Sequence, residues 1–231
     1  MYKRVLLKLS GEALGGESGV GVDSKAVEQV VEQIVQLHTQ GVEIAIVVGG
    51  GNFWRGRQGA SIDRVTADYM GMLATIMNSL ALQDFIEKKG ISVRVQTALS
   101  IPSVAEPYAY RKALRHLEKG RIVIFACGTG NPYCTTDLGA AQRASEIKAD
   151  ILLMAKNVDG VYDDDPKTNP NAKKIDEISY MEVMNRNLKV MDLTALTRCM
   201  ENNIPIVAFG LNSENGLIKA ANGEKIGTLI K

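Results

Sequence analysis

The sequence predicts an α/β protein with a mostly parallel central sheet. Two observations carry this. Short β-branched runs alternate with longer stretches whose apolar residues recur at helical spacing. Three of the runs end in clusters of glycine and small polar residues: KLSG at Lys8 to Gly11, VVGGGN at Val47 to Asn52, and FACGTGNPYCTTD at Phe125 to Asp137. In open α/β sheets ligands bind outside the carboxyl ends of the strands, so three such turns predict a site spread along one sheet edge. The 231 residues suffice for one large domain, or for one with a small second lobe.

Lys3 to Leu9 is the first strand. Asp23 caps a helix in which Val27, Val30, Val31, Ile34 and Leu37 form one apolar stripe, and Gly41 ends it. Val42 to Val48 reads as a buried strand. A long helix runs from about Thr66 to Lys89, with Met70, Leu73, Met77 and Leu80 on one face; that stripe is core or a subunit interface rather than a cofactor box. Ser92 to Thr97 is strand-like, Val104 to Lys119 helical, and Arg121 to Cys127 another β-branched run. Asp137 opens the next helix, Asp150 to Met154 is a strand, and Ile204 to Phe209 is the last strong one. No low-complexity linker or internal repeat divides the chain, so residues 1–231 are expected as a single domain. The least regular stretch is Asn157 to Asn171, with Pro166 and Pro170. It is a plain surface loop, or its Tyr162 and carboxylates receive a nucleotide base and ribose.

Composition narrows the function. No apolar run approaches the ~20 residues that span a bilayer, and the start, Met1-Tyr2-Lys3-Arg4, leads straight into a strand without the apolar core of a signal peptide. A cytoplasmic location is expected. Lys and Arg number 27 against 26 Asp and Glu, a net charge of +1, so no global field draws nucleic acid or acidic membranes and anion recognition must be local. Cys127, Cys134 and Cys199 match neither a zinc framework nor a disulfide ladder. Only His38 and His116 occur, away from the glycine turns, which disfavours a histidine base and Ser-His-Asp or Cys-His chemistry. There is no GxxxxGK[ST] and no GxGxxG, which excludes a P-loop kinase and a dinucleotide domain of the usual kind.

The turns themselves suit phosphate. Lys8 interrupts an apolar strand just before Gly11, placing a point charge beside exposed backbone N–H groups; a solvated strand-end lysine is the alternative. Three consecutive glycines at 49–51 exceed what a turn needs and allow an anion close to the backbone. Arg55 and Arg57 follow within reach, and a guanidinium fork fits phosphate oxygens. Gly128 to Asp137 offers two glycines, the Asn131 amide, a stiffening Pro132 and the hydroxyls of Thr135 and Thr136 at a helix start, where an anion is favoured; Thr136 or Asp137 also suits an N-cap. Two facing anion sites suggest phosphoryl transfer. If the acceptor is itself a phosphate or carboxylate, its oxygen is already ionised and no general base is required.

The strings LLKLSGEAL, VVGGGNFWRG, TADYMGMLATIMNSLALQD, VAEPY, GTGNPYCTTD, AKNVDGVYDDDP and VMDLTAL closely resemble the bacterial uridylate (UMP) kinases of the amino acid kinase family, from about residue 3 to the C-terminus. The resemblance implies a three-layer α/β/α sandwich that transfers the γ-phosphoryl of ATP to UMP in pyrimidine nucleotide synthesis. It further implies Mg²⁺ accompanying ATP, GTP and UTP as effectors, and a homohexamer. Residues 1–150 would hold mainly the acceptor side and 151–231 mainly the ATP side. Position by position, Lys8, Leu9, Ser10 and Gly11 match the ATP-phosphate segment, Gly51 and Arg55 ATP contacts, and Asn157, Tyr162 and Asp165 base and ribose contacts. Gly50 and Asp68 match UMP contacts, the latter to the sugar. Thr129, Gly130, Asn131, Pro132, Tyr133, Cys134, Thr135 and Thr136 match the UMP loop. Lys8, Arg55, Asp137 and Asp192 match the catalytic set, Asp192 helping to organise the lysine. Gly16, Glu17, Ser18, Gly19, Val20 and Gly21 match the region linked with GTP activation. Cys134 stands where the family commonly has an aromatic residue, and Ser100 to Ser103 lacks the charged residue often found before VAEPY. An acetylglutamate-type kinase and a non-catalytic nucleotide-binding relative are the alternatives; the GTGNPYCTTD loop and Asp68 argue against the first, and Lys8, Arg55, Asp137 and Asp192 against the second.

Overall fold

The computed structural model describes residues 2–54, 61–164, 166, 168–211 and 213–231. Strand β1 (Arg4–Leu9) sends Val5, Leu7 and Leu9 into one core and Leu6 into another, all fully buried, so the sheet is covered on both faces. The other strands are β2 (Glu43–Val48), β3 (Val93–Thr97), β4 (Glu106–Pro107), β5 (Ile122–Ala126), β6 (Ile151–Lys156), β7 (Val161–Tyr162), β8 (Lys174–Ile175), β9 (Glu177–Ile178), β10 (Ile206–Gly210) and β11 (Thr228–Ile230). β7 and β8 form a separate antiparallel pair. The rest make a nine-stranded sheet in the order β4-β3-β5-β2-β1-β6-β10-β11-β9, parallel throughout except between β10 and β11. Lys8 stands opposite Val47 of β2 and Met154 of β6, which brings the carboxyl ends of neighbouring strands to one edge.

The helices are α1 (Ser24–Thr39), α2 (Arg64–Glu87), α3 (Tyr110–Glu118), α4 (Thr136–Glu146), α5 (Tyr180–Asn185), α6 (Leu193–Glu201) and α7 (Gly216–Ala221). α1, α2 and α7 pack on the face of Val5 and Leu7; α3, α4, α5 and α6 cover the face of Leu6. The result is a three-layer α/β/α sandwich. The stripe expected on α1 is the one that is buried, and Asp23 caps that helix by accepting from Ala26 N–H at 2.8 Å. Among the described residues, no helix is long and apolar enough to cross a membrane.

One expectation about a helix needs correction, and another is refined. The run Val104 to Lys119 is not one helix: α3 starts at Tyr110, and Glu106 and Pro107 pair with Gln96 and Thr97 as a short edge strand. A residue before proline is pushed out of the helical region, which is why the helix cannot extend through Glu106. On α2 the methionine-rich stripe is split: Leu80 packs against the core, while Leu73 and Met77 are 49% and 47% exposed. The buried face carries Met72, Ile76, Leu82 and Ile86, with the small residues Ala67, Ala74, Thr75, Asn78 and Ser79 among them. Close approach dictates this choice: a Cβ on Gly50 would lie 2.7 Å from the Gly71 carbonyl oxygen and 2.8 Å from Ala74 Cβ. Small residues are needed where the helix backbone presses on the glycine turn.

Candidate active site

The first two glycine turns lie against each other. Gly49 N–H donates to the Leu9 carbonyl at 2.9 Å, and a Cβ on Gly11 would fall 2.4 Å from Asn52 Oδ1 and 2.6 Å from the Gly49 oxygen. Asn52 is locked by a reciprocal amide pair: its Nδ2 donates to Asn78 Oδ1 at 2.9 Å, and Asn78 Nδ2 donates back at 2.7 Å. Their remaining amide hydrogens go to the carbonyls of Gly21 and Gly49, at 2.5 and 2.7 Å. Both side chains are buried, where each unpaired amide hydrogen would cost about 1–3 kcal/mol. Gly21 N–H in turn donates to the Asn52 carbonyl at 2.9 Å, fastening the Gly16 to Gly21 segment to the turn. Within that segment Gly16, Gly19 and Gly21 take positive φ, and Val20 is 71% exposed.

Lys8 reaches the third turn. Its Nζ is 2.7 Å from Asp137 Oδ1, with both side chains largely shielded from water. Asp137 sits in the first turn of α4, and the N-cap is Thr135, one residue before the positions expected, accepting from Leu138 N–H at 3.1 Å. The Thr135 hydroxyl donates to Asp192 Oδ2, while Asp192 Oδ1 caps α6 by accepting from Ala195 N–H at 2.8 Å. The start of α4 therefore holds two contacts side by side, Asp137 with Lys8 of β1 and Thr135 with Asp192 at the start of α6. Beneath it, Cys199 is buried and its thiol pushed up to about 12, by burial first and then by Asp137 and Asp192. Lys156, at the end of β6, completes the polar cluster and donates to the Val190 carbonyl.

Two cavities meet here. The first, about 510 Å³, is lined by Gly50, Asp68, Thr129, Asn131, Cys134, Thr135 and Thr136, all expected acceptor contacts. Gly130, Pro132 and Tyr133 complete the loop without lining it, and Gly130 and Tyr133 hold positive φ. Trp54, Arg64, Thr75 and Cys127 line it too. The second is a larger groove of about 1480 Å³ that includes the Gly15 to Val20 segment, Asn52, Asn157 and Ser213. Gly51 lines both. Tyr162 lies on β7, its hydroxyl donating to Asp159 Oδ1 at 2.6 Å. Arg55, Arg57 and Asp165 lie outside the described residues. Among the described residues, no three His, Cys, Asp or Glu side chains gather to hold a metal ion.

The sequence model of the amino acid kinase family matches residues 3–209. The chain belongs to the amino acid kinase family. Solved structures agree over the full length. A UMP kinase from Bacillus anthracis is 43% identical, with 100% of this chain and 96% of that one covered and a TM-score of 0.96. A UMP kinase from Ureaplasma parvum is 37% identical over 100% and 99%, at 0.94. A uridylate kinase from Archaeoglobus fulgidus is 30% identical over 100% of both chains, at 0.76.

In this amino acid kinase, sequence reasoning missed Lys156, Asn78 and Arg64. Lys156 did carry a signal, since ILLMAK ends a buried strand in lysine much as VLLKL does. Burial pulls Lys156 below the ordinary lysine range, with Asp137 opposing the shift and Lys8 adding to it. Only the protonated form neutralises phosphate, so turnover should fall as pH rises through this lowered value. Stability runs the other way: between the lowered folded value and the ordinary one the unfolded chain binds more protons, so stability rises with pH. In a pH–rate profile, Lys156→Arg, which does not titrate in this range, should move the alkaline limb upward. An unmoved limb would assign it to another group.

Proposed function

We propose that this amino acid kinase is an ATP-dependent uridylate kinase that transfers the γ-phosphoryl of MgATP to UMP, giving ADP and UDP. The observation that carries this is Gly51, shared between an acceptor-sized pocket and a larger groove. A nucleoside monophosphate suits the pocket volume, and a triphosphate crossing at Gly51 meets it. Full-length similarity to the UMP kinases of Bacillus anthracis and Ureaplasma parvum supports the choice of uridylate.

In this reading Lys8, Leu9, Ser10, Gly11, Gly51 and Arg55 hold the ATP phosphates, while Asn157, Tyr162 and Asp165 receive base and ribose. Gly50, Asp68 and the loop from Thr129 to Thr136 hold UMP. Mg²⁺ arrives with ATP and is coordinated mainly by its phosphates, which fits a chain offering no cluster of three ligating side chains among the described residues. No side chain needs to remove a proton, because the acceptor phosphate oxygen is already anionic. Catalysis is then alignment plus charge neutralisation by Lys8, Lys156, Arg55 and backbone N–H groups, with Asp137 and Asp192 keeping the lysines in place. Apart from the ATP-phosphate turns, the acceptor side lies mainly in residues 1–150 and the donor side mainly in 151–231 of one domain, working in the cytoplasm on pyrimidine nucleotides. The exposed Leu73 and Met77 suit subunit contacts in a hexamer, and Gly16 to Gly21 suits a response to GTP, with UTP as inhibitor.

A coupled assay with MgATP and UMP, CMP or acetylglutamate tests the function. UDP should form at a rate well above ADP release with the other two; turnover on acetylglutamate without UDP formation would overturn the proposal.

A further inference from the structure

Among the described residues, the acceptor pocket is lined by two charged side chains, Arg64 and Asp68, and they face each other. Arg64 Nε lies 3.0 and 2.9 Å from the two oxygens of Asp68, one helical turn further along α2. The same carboxylate takes a third contact from outside the helix: Tyr133 N–H donates to Asp68 Oδ2 at 2.7 Å across 65 positions of chain. The Arg64 guanidinium also lies over the Tyr133 ring, 5.2 Å from its centroid. Tyr133 holds a left-handed backbone with φ of 62°, a conformation that a bulky side chain keeps only when its surroundings impose it. Two elements on opposite sides of the pocket, the start of α2 and the loop before α4, are thus joined through one carboxylate.

We propose that Arg64 is a positioning residue for the acceptor sugar, acting through Asp68. This inference rests on the uridylate kinase reading, in which Asp68 receives the ribose. A carboxylate has about four lone-pair sites, and donors from Arg64 and Tyr133 leave room for a sugar hydroxyl without displacing either. They also fix the plane in which that hydroxyl must approach. A nucleotide with an intact ribose gains from the arrangement; one without hydroxyls gains nothing. Lysine cannot replace Arg64 fully, because Arg64 holds the carboxylate through Nε while the rest of its guanidinium lies over the Tyr133 ring, which one compact ammonium cannot do. The pair contributes little to folding, since the Arg64 side chain is 58% exposed.

The test is steady-state kinetics at saturating MgATP for the wild type, Arg64→Gln and Arg64→Lys, with UMP and with 2′,3′-dideoxyuridylate as acceptors. Losing a charged donor to Asp68 should raise the UMP KM of Arg64→Gln about tenfold, with kcat falling less than threefold and the ATP KM unchanged. Arg64→Lys should fall between it and the wild type. The dideoxy nucleotide does not use Asp68, so its KM should stay near the wild-type value and the preference for ribose should shrink about tenfold. Melting temperatures of both variants should remain close to wild type. Equal increases in KM for the two acceptors, or a loss confined to kcat, would overturn the inference while leaving the uridylate kinase reading intact. A wild type that makes no UDP would overturn both.

Discussion

Asp137→Asn should lower turnover by about 10²–10³-fold, the usual loss when one group that organises transition-state charge is removed, while the KM for UMP changes less than about threefold. The basis is the 2.7 Å contact between Asp137 Oδ1 and Lys8 Nζ. Lys8 and Lys156 are close enough for each to be felt by the other, and Asp137 is the carboxylate that offsets them. Asparagine preserves size and a hydrogen-bonding oxygen but not charge, so the lysines would repel without compensation. Two consequences separate this from simple damage to the fold. Asp137→Ala should be no more than a few-fold worse than Asp137→Asn, because the charge matters more than the shape. In Asp137→Asn, the alkaline limb of the pH–rate profile should shift to lower pH, since Asp137 normally holds the Lys156 value up. An increase in KM as large as the loss in kcat would mark Asp137 as a binding residue instead.

Gly11→Ala should lower stability by about 2–3 kcal/mol, the penalty typical of overpacking at an unyielding site, and the melting temperature by roughly 4–12 °C for a chain of this size. The added Cβ would meet Asn52 Oδ1 at 2.4 Å, the Gly49 carbonyl oxygen at 2.6 Å and Gly51 N at 2.9 Å. Two of these are backbone atoms of the neighbouring turn, and the third belongs to the buried amide pair with Asn78. None can retreat cheaply, so activity should fall with stability. Gly51→Ala provides the contrast: its nearest neighbour would be Glu12 Oε1 at 3.7 Å, an ordinary contact. That variant should melt near wild type yet bind ATP more weakly, because Gly51 borders both cavities. Calorimetry and ATP KM values for the two variants check both statements; a stable Gly11→Ala protein would show that the turns can separate.

What could be read from the sequence follows the physics of each element. The α1 stripe and the β-branched strands were visible because burial there is by large apolar side chains, and the glycine turns because glycine is costly where it is not needed. The part of α2 that presses on the glycine turn was not, because close backbone approach there selects alanine, serine, threonine and asparagine, which also populate exposed helix surfaces. Asn78 has no sequence mark at all; its role exists only once Asn52, Gly21 and Gly49 converge on it. Arg64 reads as an ordinary first-turn arginine until Tyr133 arrives from another part of the chain. Short pairings such as β4 and β11 also escaped detection, since two or three residues are too few for a period to show. The Lys8 to Asp137 contact was reachable only through the family resemblance, and Asp192 proves to meet this cluster at the Thr135 hydroxyl.

The central place of β1 also orders events in time. Arg4–Leu9 is made well before one of its partners, because one flank of that strand waits for Ile151–Lys156. Until then Val5, Leu6 and Leu7 belong to an apolar strand with an open side, the kind of edge that pairs readily with other chains. Only after the segment from β1 to β6 has been made does β6 cover it, and Asp192 follows later still. The growing chain therefore carries an open edge on β1 while that whole segment is made, and its polar cluster is completed only after β6 is available to close it.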